Sequence, residues 1–146
     1  LFKGVTKIFF DTNIWLRLFL KDTPQYESVE KLINLVEEGK FLTYSSSIVL
    51  LEVSFVLEKS YKLSHKQVLE YLQAITKTRN ITIIDQTNSL RALDYFYKLG
   101  IKFSDCLIAS QIPKDMIFVT FDHDFSKFKT LTVKTPADFV PEPPHK

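Results

Sequence analysis

Two kinds of apolar pattern alternate along the chain. Short runs rich in β-branched and aromatic residues read as buried strands: Val5 to Phe10, Phe41 to Tyr44, Ile81 to Ile84, Ile117 to Thr120 and Leu131 to Val133. Between them lie segments with helical patterning and helix punctuation. Asp11-Thr12-Asn13 turns into a short helix, Ile14 to Leu20. Pro24 fits the first turn of Gln25 to Glu38, and Gly39 ends it. Ser45, Ser46 and Ser47 each offer an N-cap for Ile48 to Tyr61, and Ser64 caps a helix carrying Val68, Leu72 and Ile75. Ser89 to Leu99 stops at Gly100, and Ser104 is the expected cap of a helix that begins at Asp105 and ends before Pro113. Strand and helix therefore alternate throughout, which predicts an α/β fold with a mostly parallel sheet.

The 146 residues match one compact domain. With 45% hydrophobic residues and 13 Phe, they can bury a substantial core. Residues 1–140 read as that domain. Residues 141–146, in a stretch where four of the six prolines cluster between Pro136 and Pro144, read as an irregular tail. No apolar stretch reaches the ~18 residues of a bilayer span, and the cytoplasm is the expected location. Cys106 is the sole cysteine, which rules out an internal disulfide and a cysteine-based zinc site. The net charge of +2, from 19 Lys and Arg against 17 Asp and Glu, does not by itself announce a nucleic-acid partner.

Where the acids fall changes that picture. Asp11 ends the first apolar run, Glu52 lies inside Ile48 to Leu57, Asp105 opens Asp105-Cys106-Leu107-Ile108-Ala109, and Asp122 and Asp124 follow Ile117 to Phe121. Taken singly, each has a local explanation: Asp11 as a helix cap, Asp105 in a first helical turn, Glu52 as a satisfied core acid, Asp122 or Asp124 as a loop cap. Asp11, Asp105 and Asp122 are expected where a parallel sheet gathers its ligands, outside the carboxyl ends of its strands at a switch in strand order, whereas Glu52 comes from a different direction, and its spacing leaves open whether it points into the same crevice. Carboxylates crowded at a core edge repel one another and lose hydration, and a divalent cation is the simplest remedy. Glu52 in particular is expected on a helix buried over most of its circumference.

Phe10-Asp11-Thr12-Asn13, Ser46-Ser47 followed by Glu52, Ser104-Asp105-Cys106-Leu107-Ile108-Ala109, and Val119-Thr120-Phe121-Asp122-His123-Asp124-Phe125 occur in this order. In that arrangement the chain resembles the PIN-domain family, most closely the VapC-type toxins of prokaryotic toxin–antitoxin pairs. The resemblance runs from about Val5 to Val133. It implies a three-layer α/β/α fold with a five-stranded parallel sheet. It also implies a Mg²⁺- or Mn²⁺-dependent endoribonuclease with Asp11, Glu52, Asp105 and Asp122 as its acids, and with Asp124 competing with Asp122 for the last place. Asp11, Asp105 and Asp122 would be metal ligands, and Asn13, Thr120 and Ser46 or Ser47 polar support. A small antitoxin partner is implied as well.

An all-oxygen cluster suits Mg²⁺ or Mn²⁺. Hydrolysis by water would leave a 5′-phosphate and a 3′-hydroxyl. His123 is expected at the surface, and Cys106, Trp15, Phe9, Phe10 and Phe19 in the core. Arg17, Lys21, Lys102, Lys127 and Lys129 are candidate RNA contacts. The apolar helices Ile48 to Tyr61 and Ser64 to Lys77 are candidate antitoxin or homodimer surfaces. Two other readings fit the same residues: an RNA-processing or DNA nuclease without an antitoxin, and a binding module without turnover.

Overall fold

The computed structural model describes residues 4–140, so the proline-rich segment 141–146 lies outside the described residues. Five strands form one all-parallel sheet: β1 (Lys7–Phe10), β2 (Leu42–Ser46), β3 (Ile81–Ile84), β4 (Met116–Val119) and β5 (Thr132–Lys134), in the order β3-β2-β1-β4-β5. Among the described residues six helices connect them: α1 (Thr12–Leu20), α2 (Gln25–Glu37), α3 (Ser47–Lys59), α4 (His65–Thr76), α5 (Ser89–Leu99) and α6 (Phe103–Ser110). The chain winds outward from β1 to β3, then crosses back to place β4 on the other side of β1. Right-handed crossovers in opposite directions put helices on both faces of the sheet. The α/β expectation is met, and the sheet is parallel throughout.

Strand positions alternate too little for a half-exposed sheet because both faces are covered. Ile8, Phe9 and Phe10 of β1 and Phe118 and Val119 of β4 are fully buried. Phe9 packs on Phe118, and Phe118 on Phe125, with ring centroids 5.8 and 4.5 Å apart. Trp15 and Cys106 are core residues as expected, whereas Phe19 is half-buried against Tyr71. Gly100 adopts the left-handed conformation (φ 63°) that closes α5, where a side chain would be strained.

Three local expectations are corrected. α3 is not buried around most of its circumference: Val49, Val53 and Leu57 form a four-apart buried stripe, while Leu51 and Phe55 are 65% and 62% exposed. α6 starts at Phe103 rather than Asp105 and has no side-chain cap, because Lys102 occupies the cap position and Ser104 lies inside the helix. Pro24 stands at the cap position of α2 rather than inside its first turn. No helix among the described residues is long and apolar enough to cross a membrane.

Candidate active site

The switch in strand order lies between β1 and β4, which run side by side with Phe10 opposite Val119. Asp11, the next residue, donates its backbone N–H to the Val119 carbonyl (3.1 Å) before the chain turns into α1. Its side chain then accepts the Thr12 backbone N–H (2.8 Å) and caps that helix. The capping explanation and the site explanation are thus both true of Asp11. Its second oxygen accepts from the Thr120 hydroxyl (2.7 Å) and from the Asn13 amide (3.4 Å). Thr120 in turn accepts from the Asn13 amide (3.1 Å) and the Asp122 backbone N–H (3.0 Å), while the Asn13 carbonyl accepts the Phe121 N–H (3.2 Å). Asn13 and Thr120 therefore lock the ends of β1 and β4 together around one carboxylate.

That carboxylate is only 4% exposed. Burial drives the Asp11 carboxyl up to about 7; the Thr120 and Thr12 hydrogen bonds oppose the rise, and the Glu52 and Asp105 charges add to it. Asp105, on the first turn of α6, is pushed up to about 6, first by burial and next by Glu52. Lys102 pulls it back, and Asp122 and Asp124 push it further. Asp11 and Asp105 thus feel each other and Glu52, and Asp105 also feels Asp122 and Asp124, although these acids come from four separate stretches of sequence.

Their surroundings differ. Glu52, 15% exposed on its side chain, is held at both oxygens. One accepts from the Thr12 hydroxyl (3.4 Å), and the other from the Lys102 ammonium (2.9 Å) and the Ser104 hydroxyl (3.4 Å). The Lys102 charge is disfavoured by its partial burial, but the bond to Glu52 and the charges of Glu52, Asp105 and Asp11 outweigh this and raise its pKa. Asp122 caps a short 3-10 turn, His123–Lys127, by accepting the Asp124 N–H (2.9 Å). Asp124 is exposed and faces Lys127 at 3.9 Å. His123 is exposed, as expected. Among the described residues no three acidic, imidazole or thiol side chains already close on a single point. The acids form an open cluster, as mutual repulsion requires.

The two serines separate. Ser46 is buried and caps α3 through the Val49 N–H (3.3 Å), so it reaches the acids only by fixing the helix that carries Glu52. The Ser47 hydroxyl pairs with Asp85, beyond the end of β3. Sequence reasoning missed Ser45, whose hydroxyl donates to the Phe10 carbonyl (3.0 Å) and accepts from Trp15 (3.2 Å), bracing the strand end beneath Asp11. It also missed Thr12 and Ser104 as partners of Glu52. Of the basic residues expected to touch RNA, Arg17 is drawn to Asp22 (3.6 Å), Lys21 lies over the Tyr26 ring and Lys102 is bound to Glu52.

A family model described as PIN domain matches residues 8–131. No curated protein sequence matches the chain. Among solved structures, VapBC2 from Rickettsia felis, bound to a DNA fragment from its promoter, is similar with a TM-score of 0.65 and 24% identity, covering 89% of this chain and 98% of that one. VapC20 from Mycobacterium tuberculosis, a toxin that cleaves the sarcin-ricin loop, gives 0.65 and 20% over 84% and 95%. A toxin–antitoxin complex from Klebsiella pneumoniae gives 0.57 and 19% over 89% and 98%. At these identities the likeness speaks for the fold, and the family match spans most of the chain: the chain belongs to the PIN domain family.

Proposed function

We propose that this PIN domain, taken as residues 1–140, is a metal-dependent endoribonuclease and the toxin of a toxin–antitoxin pair. The observation that carries the reading is Asp11. A carboxylate this buried, facing Glu52 and Asp105 across the switch point, is costly without a cation and fits one well. The oxygen-only donor set of Asp11, Asp105 and Asp122 matches the hard ions Mg²⁺ and Mn²⁺. Such an ion, when bound, offsets the charge of a scissile phosphate and makes water more acidic.

The rest falls to the chain's own residues. Thr120, Asn13 and the Thr12 N–H fix the Asp11 oxygens, leaving them few orientations. Asp105, which among the described residues receives no hydrogen bond that would lower its pKa, can turn toward a cation. Glu52 and Asp122 face the crevice as groups able to orient an attacking water. Asp122 is favoured over Asp124 as the fourth acid because its backbone is bonded to Thr120, which also holds Asp11. Asp124 serves the 3-10 turn and Lys127.

Partners follow from the exposed apolar positions. Leu51 and Phe55 on α3 and Leu69 on α4 lie on the two helices singled out from the sequence, and Leu90, Leu93, Phe96 and Tyr97 on α5 add a larger face that periodicity did not reveal. A second copy of the chain and an antitoxin supplying a basic residue to the acids would cover such surfaces, and the similar solved structures include toxin–antitoxin complexes. The activity is assigned to the cytoplasm, where the RNA is.

The test is incubation of the purified protein with defined single-stranded and structured RNAs, and with matched DNAs, in Mg²⁺, Mn²⁺ or EDTA. Metal-dependent RNA cleavage giving 5′-phosphate and 3′-hydroxyl ends is expected. Cleavage in EDTA, 2′,3′-cyclic ends, or a preference for DNA would overturn the assignment.

A further inference from the structure

Lys102 breaks the local rules of helix initiation. It stands at the cap position of α6, where a lysine cannot accept a backbone N–H, and its charge faces the positive end of the helix dipole. Two residues on, Ser104 carries a hydroxyl suited to capping, but the hydroxyl is turned to Glu52 instead. Local preference has yielded at both positions to the same carboxylate. The result is a Glu52 with a partner at each oxygen: Thr12 serves one and leaves it room for a water, and Lys102 and Ser104 serve the other. The Lys102 side chain is 65% exposed, so its ammonium enters the crevice from the solvent side while the side chain of Glu52 is largely covered.

Resting on the reading of the crevice as a divalent-cation site, we infer that the Lys102 ammonium is a built-in second cation, so that the chain takes one divalent ion per crevice, held by Asp11 and Asp105. A pair of divalent ions in one nuclease site lies ~3.5–4 Å apart and needs carboxylates shared between them. Here Glu52, the acid that would share with Asp105, is already neutralised by a side chain. A second ion placed beside it would meet the Lys102 charge at close range, in a setting only partly screened by water. Lys102 is thus a positioning residue, setting the cation count and fixing Glu52.

Mn²⁺ binding measured by calorimetry, with free Mn²⁺ followed by paramagnetic resonance, tests this without relying on turnover. The wild type is expected to bind one Mn²⁺ per chain. Lys102→Met, which keeps the length of the side chain and removes its charge, is expected to admit a second ion or to tighten the first by about tenfold, the scale of one unit charge a few ångströms from a dication. Lys102→Arg is expected to behave as the wild type. Asp11→Asn is expected to lose the ion, and melting curves would establish that each variant is folded. Two ions in the wild type, or a Lys102→Met titration identical to wild type, would overturn the inference and leave the cation site standing. No Mn²⁺ bound by the wild type would overturn both.

Discussion

Replacing Asp11 with Asn should stabilise the metal-free protein at neutral and alkaline pH. In the folded chain the Asp11 carboxyl is pushed up to about 7, against 3.8 for an unperturbed aspartate. Below both values the residue is protonated whether or not the chain is folded, and it contributes nothing to stability. Between them the unfolded chain has released a proton that the folded chain keeps, so stability falls as pH rises; above about 7 the loss is complete. At ~1.4 kcal/mol per pH unit, a window ~3 pH units wide is worth about 4 kcal/mol, of which about 3 kcal/mol accrues above pH 5. Asp105 acts in the same direction, weakened by its partial exposure to solvent. The substituted amide would keep an oxygen to accept the Thr12 N–H but would lose the Thr120 O–H, because that hydroxyl already accepts from Asn13 and Asp122; the loss costs about 1–3 kcal/mol at every pH, less than the gain of about 4 kcal/mol above pH 7. Urea unfolding in EDTA at several pH values, for wild type and variant, isolates the effect as a difference. The wild type should lose about 3 kcal/mol relative to Asp11→Asn between pH 5 and pH 8. Saturating Mg²⁺ at pH 8 should restore a comparable amount to the wild type alone, since a hundredfold excess over Kd is worth about 2.7 kcal/mol. Parallel stability curves for the two proteins would refute the claim that Asp11 is a buried, destabilised anion.

Three other outcomes are expected. Thr120→Val removes the hydroxyl that holds Asp11, Asn13 and the Asp122 N–H, and should cost about 2–3 kcal/mol in urea unfolding along with at least tenfold of RNA cleavage rate. Asp122→Asn should reduce cleavage on the order of a hundredfold, and Asp124→Asn by no more than about threefold, in parallel single-turnover assays; the reverse order would move the fourth acid to Asp124. Leu93→Glu, on the exposed face of α5, should shift the protein toward monomer in analytical ultracentrifugation while leaving its melting temperature nearly unchanged.

The placement of Asp11, Asp105 and Asp122 could be read from the chain because each is fixed by a local rule. Strand runs end where the acids begin, helices start there, and a parallel sheet brings those ends to one edge. What escaped the sequence depends on contacts between distant segments. Glu52 receives Thr12, Lys102 and Ser104 from positions 40 to 52 residues away, and no periodicity encodes those bonds. The same contacts explain the error at α6: Ser104 is the better cap by type, but bonding to Glu52 claims its hydroxyl. Ser46 and Ser47 are indistinguishable by type and adjacent in sequence. The strand-to-helix turn gives Val49 to one and Asp85 to the other. The apolar face of α5 was missed because four-apart spacing tells a stripe from a surface only when the opposite face is polar. On α5 large apolar residues occur on both, and only Ala92 is buried.

Asp11 is held to serve chemistry at the expense of stability, and one paired measurement tests that directly. Cleavage of a single-stranded RNA in Mn²⁺ and unfolding in EDTA are measured on the same preparations of wild type and Asp11→Asn at neutral pH. The variant should cleave on the order of a thousandfold more slowly and yet be at least as stable as the wild type. A variant that cleaves at the wild-type rate would contradict this, since the buried carboxylate at the switch point would then be no part of the active site.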